Sequence, residues 1–294
     1  METTVNVPHP IRTKKRKRSL GYKLRKTILP HLLLITLGLL FLFPFVWLLL
    51  TSLKTSQEIF QVPIKFFPEK PQWGNFVDAI KAMPFTLYVA NTLLLCLINV
   101  FGQVISSPLV AYSISKIEWR WRNVIFAIIV ATMILPPQVT MIPLYIVFSK
   151  LGWVNTYLPL TIGAFFGAPF YIFLLRQFFM GIPNELAEAA RLDGASEFRI
   201  YWQIMLPQVK PVLATVALFT FVGVWGDFMG PLIYLNDADK WTIMVGLQNF
   251  FAEHGAQWEL LMAAAAIFTL PSVIIFFFTQ KYFLQAGSAL TGFK

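Results

Sequence analysis

What this chain can do chemically is bounded first by the residues it lacks. No Gly-Lys-Ser or Gly-Lys-Thr occurs in its 294 residues, so it has no P-loop to cradle nucleotide phosphates. A single cysteine, Cys96, leaves no internal disulfide and no CxxC pair, and three histidines, His9, His31 and His254, supply no metal-ligand or His-rich catalytic constellation. Two stretches remain that carry recognising groups. One is the polar run from Arg176 to Pro211, with Glu185, Glu188, Arg191, Asp193, Glu197 and Arg199. The other is Trp225-Gly-Asp-Phe228, where flanking rings can meet the C–H faces of a sugar while the Asp227 carboxylate accepts hydrogen bonds from hydroxyls. The same residues would equally serve as an aromatic belt at the lipid boundary, with Asp227 near headgroups or paired to another subunit. Asn91, Asn99 and Gln103 add amides that line a polar pathway or hydrogen-bond between helices.

The elements that position these groups are membrane spans. With 57% hydrophobic, 16% aromatic and only 13% charged positions, the chain is far too apolar for a soluble domain of its length. Apolar runs at 28–50, 86–114, 124–148, 157–179, 212–235 and 260–284 are each near or above the ~20 residues that cross a bilayer. The expected fold is therefore an all-α polytopic membrane protein of six transmembrane helices. Membrane proteolysis would need an activated Ser, paired Asp or a zinc site within the spans. Asp227 is the one carboxylate inside an expected span, and one alone makes no dyad. Prolines interrupt several spans: Pro136, Pro137 and Pro143 in the third, Pro159 and Pro169 in the fourth, Pro271 in the last. Each frees a carbonyl that neighbouring helices or a wet cavity must satisfy. Gly163-x-x-x-Gly167 reads as a helix-packing contact.

Charge fixes the orientation. The net charge of +10 is not a stripe on a soluble fold, so it does not point to nucleic acid; the basic residues sit at the ends of spans. With both termini cytosolic, nine Lys and Arg in residues 1–27, three at 116–122, four at 176–210 and two in the tail lie inside. Outside lie four at 54–85 together with Lys150 and Lys240. That excess is what the positive-inside rule requires. Residues 1–27 thus form a basic cytosolic segment with Lys14-Lys-Arg-Lys-Arg18, open also to acidic lipid. Residues 28–294 form the transmembrane domain, and the loop at 181–210 faces the cytosol.

That loop has its own punctuation. Pro183 suits a first helical position and Gly194 the left-handed residue past a helix end, giving a short helix over 183–192. Ser196 caps a second helix in which Phe198, Tyr201, Trp202 and Met205 fall at i, i+3, i+4 and i+7 on one face, and Pro207 stops it. Small Ala189, Ala190, Gly194 and Ala195 let a partner approach closely; an amphipathic helix lying on the membrane surface is the competing reading.

Glu188-Ala-Ala-x-x-Asp-Gly-Ala, with Phe198, Ile204-x-Leu-Pro207 and Pro211 downstream, resembles the EAA loop of bacterial ABC importer permeases. The resemblance implies that Glu188, Ala189, Ala190, Asp193, Gly194, Ala195, Phe198, Leu206 and Pro207 dock in a cleft of a cytosolic ATPase dimer, which binds the ATP and magnesium. The permease itself would be non-catalytic and hold no cofactor. Pro44-Phe-Val-Trp, Thr51-Ser-Leu-Lys54, Asn91-Thr-Leu93, Ile142-Pro-Leu-Tyr145, Gly230-Pro-Leu-Ile-Tyr234 and Gln280-Lys-Tyr-Phe283 are similar to the second, six-span permease of maltose and multiple-sugar importers. This implies a bacterial cytoplasmic membrane, a sister permease, an extracytoplasmic solute-binding protein and a carbohydrate substrate. Trp225, Asp227, Phe228 and Asn91 are then the candidate pathway residues. Gly226 stands where that family often has Asn, which removes one hydroxyl partner. Glycerol-phosphate importers share the permease type. A self-sufficient secondary carrier is the other class; it needs a relay of intramembrane carboxylates and usually an inverted repeat, and neither is evident.

Single cysteines at Ser196 and Asp237 test the orientation. An impermeant thiol reagent added outside intact cells should label the Asp237 position and leave the Ser196 position untouched; labelling at Ser196 sinks the topology.

Overall fold

A computed structural model describes residue 26 and residues 28–254 and 257–291, with side chains of 250–254 and 282–291 left aside. Apart from Lys26, the basic segment 1–27 lies outside the described residues, as do the last residues of the tail. The described residues are helical, with no strand among them. The chain falls into two units, Met1–Leu48 and Leu49–Lys294. The first carries most of α1 (Leu29–Ser52), apolar on every side, with Pro44 inside it and Phe43 stacked on Trp47.

The second unit is organised on α4 (Phe85–Lys116), a 32-residue helix that packs most extensively against Lys210–Trp225, Pro169–Gly181 and Ile162–Phe166. Before it come α2 (Ser56–Ile59) and α3 (Gly74–Lys81) in the 54–84 loop. A capping box between Thr55 and Glu58, and Asn75 Nδ2 donating to the Ser52 and Lys54 carbonyls at 2.9 Å each, order that loop. α4, Phe85–Lys116, ends where Ile117 turns extended.

Four helices are long and apolar enough to cross a bilayer alone: Leu29–Ser52, Phe85–Lys116, Leu158–Gly181 and Trp258–Lys281. Six are reached when two bent pairs are each taken as a span. The third expected span is one of them. It is two helices, α5 (Arg122–Thr132) and α6 (Pro137–Lys150), meeting at 99°. The cause is Pro136-Pro137: a residue before proline is pushed out of the α region, and Pro136 is extended at ψ 136°.

The fourth span is continuous in hydropathy and broken in backbone. It runs as α7 (Leu158–Thr161), a 3-10 stretch (Ile162–Phe166), a turn at Gly167 with φ +80°, and α8 (Pro169–Gly181). Side chains of α4 take up the groups this break frees. Asn99 Nδ2 donates to the Leu160 carbonyl at 3.1 Å, Ser106 Oγ donates to Ala164 at 2.8 Å, and Gln103 Oε1 accepts from the Ala168 N–H at 2.9 Å. Asn99 and Gln103 thus bond between helices. The expected Gly163–Gly167 packing contact holds in half: among the described residues outside its immediate neighbours nothing lies within 4 Å of a Cβ built at Gly163, whereas one at Gly167, whose φ is also positive, would stand 3.4 Å from Ser107 Cα of α4 and 3.0 Å from the Ile172 side chain. Close approach falls instead at Gly102, where a Cβ would stand 2.9 Å from Ala164 Cβ and 3.1 Å from its carbonyl carbon.

Two short helices follow, α9 (Glu185–Leu192) and α10 (Glu197–Gln208), the latter bent by 79° from α11 (Lys210–Trp225). The fifth expected span stops at Trp225, ten residues before its expected end, because Gly226 and Asp227 both favour leaving a helix. The chain resumes as α12 (Met229–Tyr234), α13 (Ile243–His254) and the 34-residue α14 (Trp258–Thr291). At the end of the bundle where α12 leads toward α13, Asn155, at φ +64°, clasps the neighbouring loop. Its Oδ1 accepts from the Asn236 and Asp237 N–H groups at 3.1 Å, and its Nδ2 donates to Asp237 Oδ2 at 2.6 Å.

Because Gly102 touches backbone that cannot retreat, Gly102→Val should destabilise the detergent-solubilised protein by about 1–3 kcal/mol. Gly163→Val, facing open space, should leave the melting temperature unchanged. Equal melting of both variants would contradict the contact.

Candidate functional site

The polar loop is a helix, a tight turn and a second helix, as its punctuation suggests. Gly194 sits at φ +78°, and the Gly194 and Ala195 N–H groups donate to the Arg191 and Ala190 carbonyls at 3.0 and 2.9 Å, closing α9. Ser196 Oγ accepts from the Arg199 N–H and opens α10. The first helix begins two residues later than expected, at Glu185.

Where the side chains face departs from expectation in two ways. Ala190 is buried with Ala187 against Tyr112, Ile200 and Met205, so its small size fits the protein's own core and not a partner. Ala195 is half-buried against the same core, while Glu188, Ala189, Asp193 and Gly194 are exposed. The face expected of Phe198, Tyr201, Trp202 and Met205 also divides. Residues Ile200–Met205 are wound as a π-helix, whose longer turn sets i and i+5 on one side. Ile200, Tyr201 and Met205 therefore form a buried floor, and Phe198 and Trp202 are left outside, 67% and 57% exposed and stacked 6.5 Å apart at 12°. Leu192, at 89%, is a further exposed apolar side chain of the loop. Pro207 does not stop α10; lying in the first turn of its closing segment, it is tolerated, and the chain bends at Val209. Leu206 and Pro207 are half-buried at that bend.

Two residues that sequence reasoning did not single out anchor the loop to α4. Tyr112 Oη donates to Glu197 Oε2 at 3.0 Å, and Arg191 Nε donates to Glu197 Oε1 at 2.6 Å, so one carboxylate joins α4, α9 and α10. The Arg191 and Tyr112 hydrogen bonds hold that carboxyl below the usual glutamate range. Lys116 Nζ donates to the Ile182 carbonyl and to Asn184 Oδ1, at 2.5 and 2.6 Å, fixing the chain between α8 and α9. Lys116 was visible in the sequence only as one of the inward charges, and Tyr112 carried no signal.

The second candidate group does not gather. Trp225 is buried, its ring between Phe221 and Phe268 at 5.5 and 5.3 Å and its Nε1 donating to the Phe268 carbonyl at 3.0 Å, so as folded neither face is open to a ligand. Asp227 lies in the break between α11 and α12, where Oδ1 accepts from the Gly230 N–H at 3.1 Å. It lines a cavity of about 640 Å³ with Phe148, Trp153, Gly163, Phe166 and Tyr234. Phe228 lines a different one, of about 530 Å³, with Met244, Gln248, Trp258 and Phe268. Asn91 Nδ2 donates to the Asp239 and Trp241 carbonyls at 2.8 and 3.0 Å, which pins the 235–242 loop to α4.

Residues 103–286, which include the whole loop and both cavities, match the family described as binding-protein-dependent transport system inner membrane component. The chain belongs to this family. As a permease of that family it is a multi-pass membrane component of an ABC importer. It is 31% identical over 269 residues to the arabinooligosaccharides transport system permease protein of Halalkalibacterium halodurans, covering 89% of this chain and 96% of that one. It is 33% identical to the sn-glycerol-3-phosphate transport system permease protein of Pectobacterium atrosepticum, covering 88% and 94%. Among solved structures, a permease of a bacterial ABC transporter involved in the import of the acidic polysaccharide alginate superposes with a TM-score of 0.77 at 25% identity, over 91% of this chain and 99% of that one.

Tyr112→Phe deletes one hydroxyl and keeps the ring. A hydrogen bond to a charged group is worth enough that amide exchange across residues 185–205 should quicken by about tenfold while the global melt barely moves. Since the carboxyl is held low, the anchor is complete above the ordinary glutamate range and is lost only as pH falls through the depressed value. Unchanged exchange in the variant would remove Tyr112 from the anchor.

Proposed function

We propose that this permease is one half of the translocation pathway of an ATP-driven carbohydrate importer, in a bacterial cytoplasmic membrane with both termini and the 181–210 loop in the cytosol. A sister permease completes the pathway, an extracytoplasmic solute-binding protein delivers the sugar, and two copies of a cytosolic ATPase hold ATP and magnesium. The observation that carries this reading is the near full-length likeness to the permease of an arabino-oligosaccharide system. The 33% identity to a glycerol-phosphate permease favours a second reading, import of a phosphorylated polyol by the same machinery.

The loop's geometry supports a docking role. Its exposed face offers Leu192, Phe198 and Trp202, an apolar surface with large rings of the kind that anchors interfaces, rimmed by Glu188, Asp193 and Arg199. Its inner face is fastened to α4 at Tyr112 and Lys116. Closure of the ATPase dimer then moves α9 and α10 as a rigid piece and carries α4 and α11 with it, so that nucleotide binding shifts the balance between outward-open and inward-open arrangements.

Gly194 is the seat of this lever. Beyond its immediate neighbours no atom of the described residues lies within 4 Å of a Cβ built there, so a side chain meets only its own backbone strain and whatever docks on the loop. In the reconstituted complex, Gly194→Asp and Glu188→Lys should each lower ATP-driven uptake at least ~10-fold by loosening the ATPase. The sister permease should stay bound, and compensating substitutions should arise in the ATPase. Normal transport by both variants would end the coupling assignment.

A further inference from the structure

We propose that the cavity beside Asp227 is a subsite for neutral sugars, one that receives ring faces and hydroxyls and turns away phosphates and uronates. The inference rests on the carbohydrate reading above and decides between its two versions.

The cavity, at about 640 Å³, is of a size that encloses a small ligand. Phe148, Trp153, Phe166 and Tyr234 line it with rings: Phe148 stacks on Trp153 at 5.6 Å and 19°, Tyr234 stands edge-on to Phe148 at 5.6 Å, and Tyr145, outside the lining, stacks on Tyr234 at 6.0 Å. Rings held by one another present their faces without losing further freedom on binding, which suits the C–H surface of a pyranose or furanose. On the same lining is Asp227, an acceptor for hydroxyl hydrogens.

What the cavity lacks sets the substrate class. The groups acting on Asp227 are the backbone N–H of Gly230 and Met229, and no ion pair reaches it among the described residues. Among the described residues no Lys or Arg lines this cavity or either of the two that Phe228 lines, the second of them beside Leu232, Asn236 and Asn249. Lys150 is exposed at the end of α6, and Lys240 is tied to Asp237 and to the Asn155 carbonyl at 2.9 Å each. Phosphate and carboxylate groups are ordinarily held by Arg or Lys. Here an anion would meet a like charge where water screens weakly and would find no cation. A neutral oligosaccharide meets neither penalty.

The test is made in the full complex with Gly163→Cys, a position on the cavity with room for a side chain, while the native Cys96 is buried. A cationic trimethylammonium methanethiosulfonate should label it about tenfold faster than the anionic sulfonate reagent of similar size, and adding Asp227→Asn should bring the two rates together. A neutral arabino-oligosaccharide should slow labelling; sn-glycerol 3-phosphate and an alginate oligosaccharide at the same concentration should not. Leu144→Cys, on the same cavity, repeats the measurement should Gly163→Cys fail to assemble. Protection by the anions, faster anionic labelling through a cation from the sister permease, or no protection by any saccharide would each overturn the proposal. Failure of the complex to import any carbohydrate would instead overturn the importer reading, whatever the two labelling rates.

Discussion

Inside a bilayer no water stands ready to satisfy a broken backbone, and each unpaired group there costs several kcal/mol. The fourth span is broken over 162–168, and the structure tolerates this because α4 supplies the missing partners: Asn99 for Leu160, Ser106 for Ala164, Gln103 for Ala168. Gln103 is itself held by the Ser107 hydroxyl at 2.7 Å. Without that polar seam the carbonyls of Leu160 and Ala164 and the N–H of Ala168 would lose these partners beside the cavity that Gly163, Phe166 and Asp227 border.

The same helix reaches both faces of the membrane. Near its start Asn91 and Thr92 bond the 239–243 backbone, in its middle lies the seam, and at its end Tyr112 and Lys116 hold the polar loop. The loop is therefore attached to the end of the rod, and the segment bordering the cavity to its middle. A displacement of α9 and α10 cannot be absorbed by a slack connection before it reaches α4, which is the condition for coupling by rigid-body movement. Interfaces packed tightly are bistable and not continuously deformable, so under the proposed coupling small shifts at the loop would favour one of two arrangements.

Much of this was legible in the sequence, and what was not has identifiable causes. Gly194 and Ser196 were readable because positive φ and capping are local demands of one residue. The spans were readable because hydropathy is summed over some twenty positions. Directions of side chains were not, since they depend on partners far along the chain. Ala190 faces inward because Ile200 and Met205 lie beneath it, and Trp225 is closed off by Phe268, 43 positions away. The bend between α5 and α6 was signalled by Pro136-Pro137, but a proline pair fixes where a helix breaks and not the angle at which it restarts. Tyr112 was silent because a tyrosine near the end of an apolar span looks the same whether it meets lipid, water or a glutamate.

The π-wound stretch from Ile200 to Met205 has one more implication. A longer turn holds more residues over the same rise, so this segment stores length in the way a crimp stores thread. Rewound as an ordinary helix, it would carry Met205 off the buried side it shares with Ile200, because that i, i+5 pair shares a side only at the wider spacing. The residue count between the Ser196 cap and the bend at Val209 is thereby a gauge: it measures how far the outer stack stands from the bundle, and a chain one residue shorter there would present the same rings at a different height.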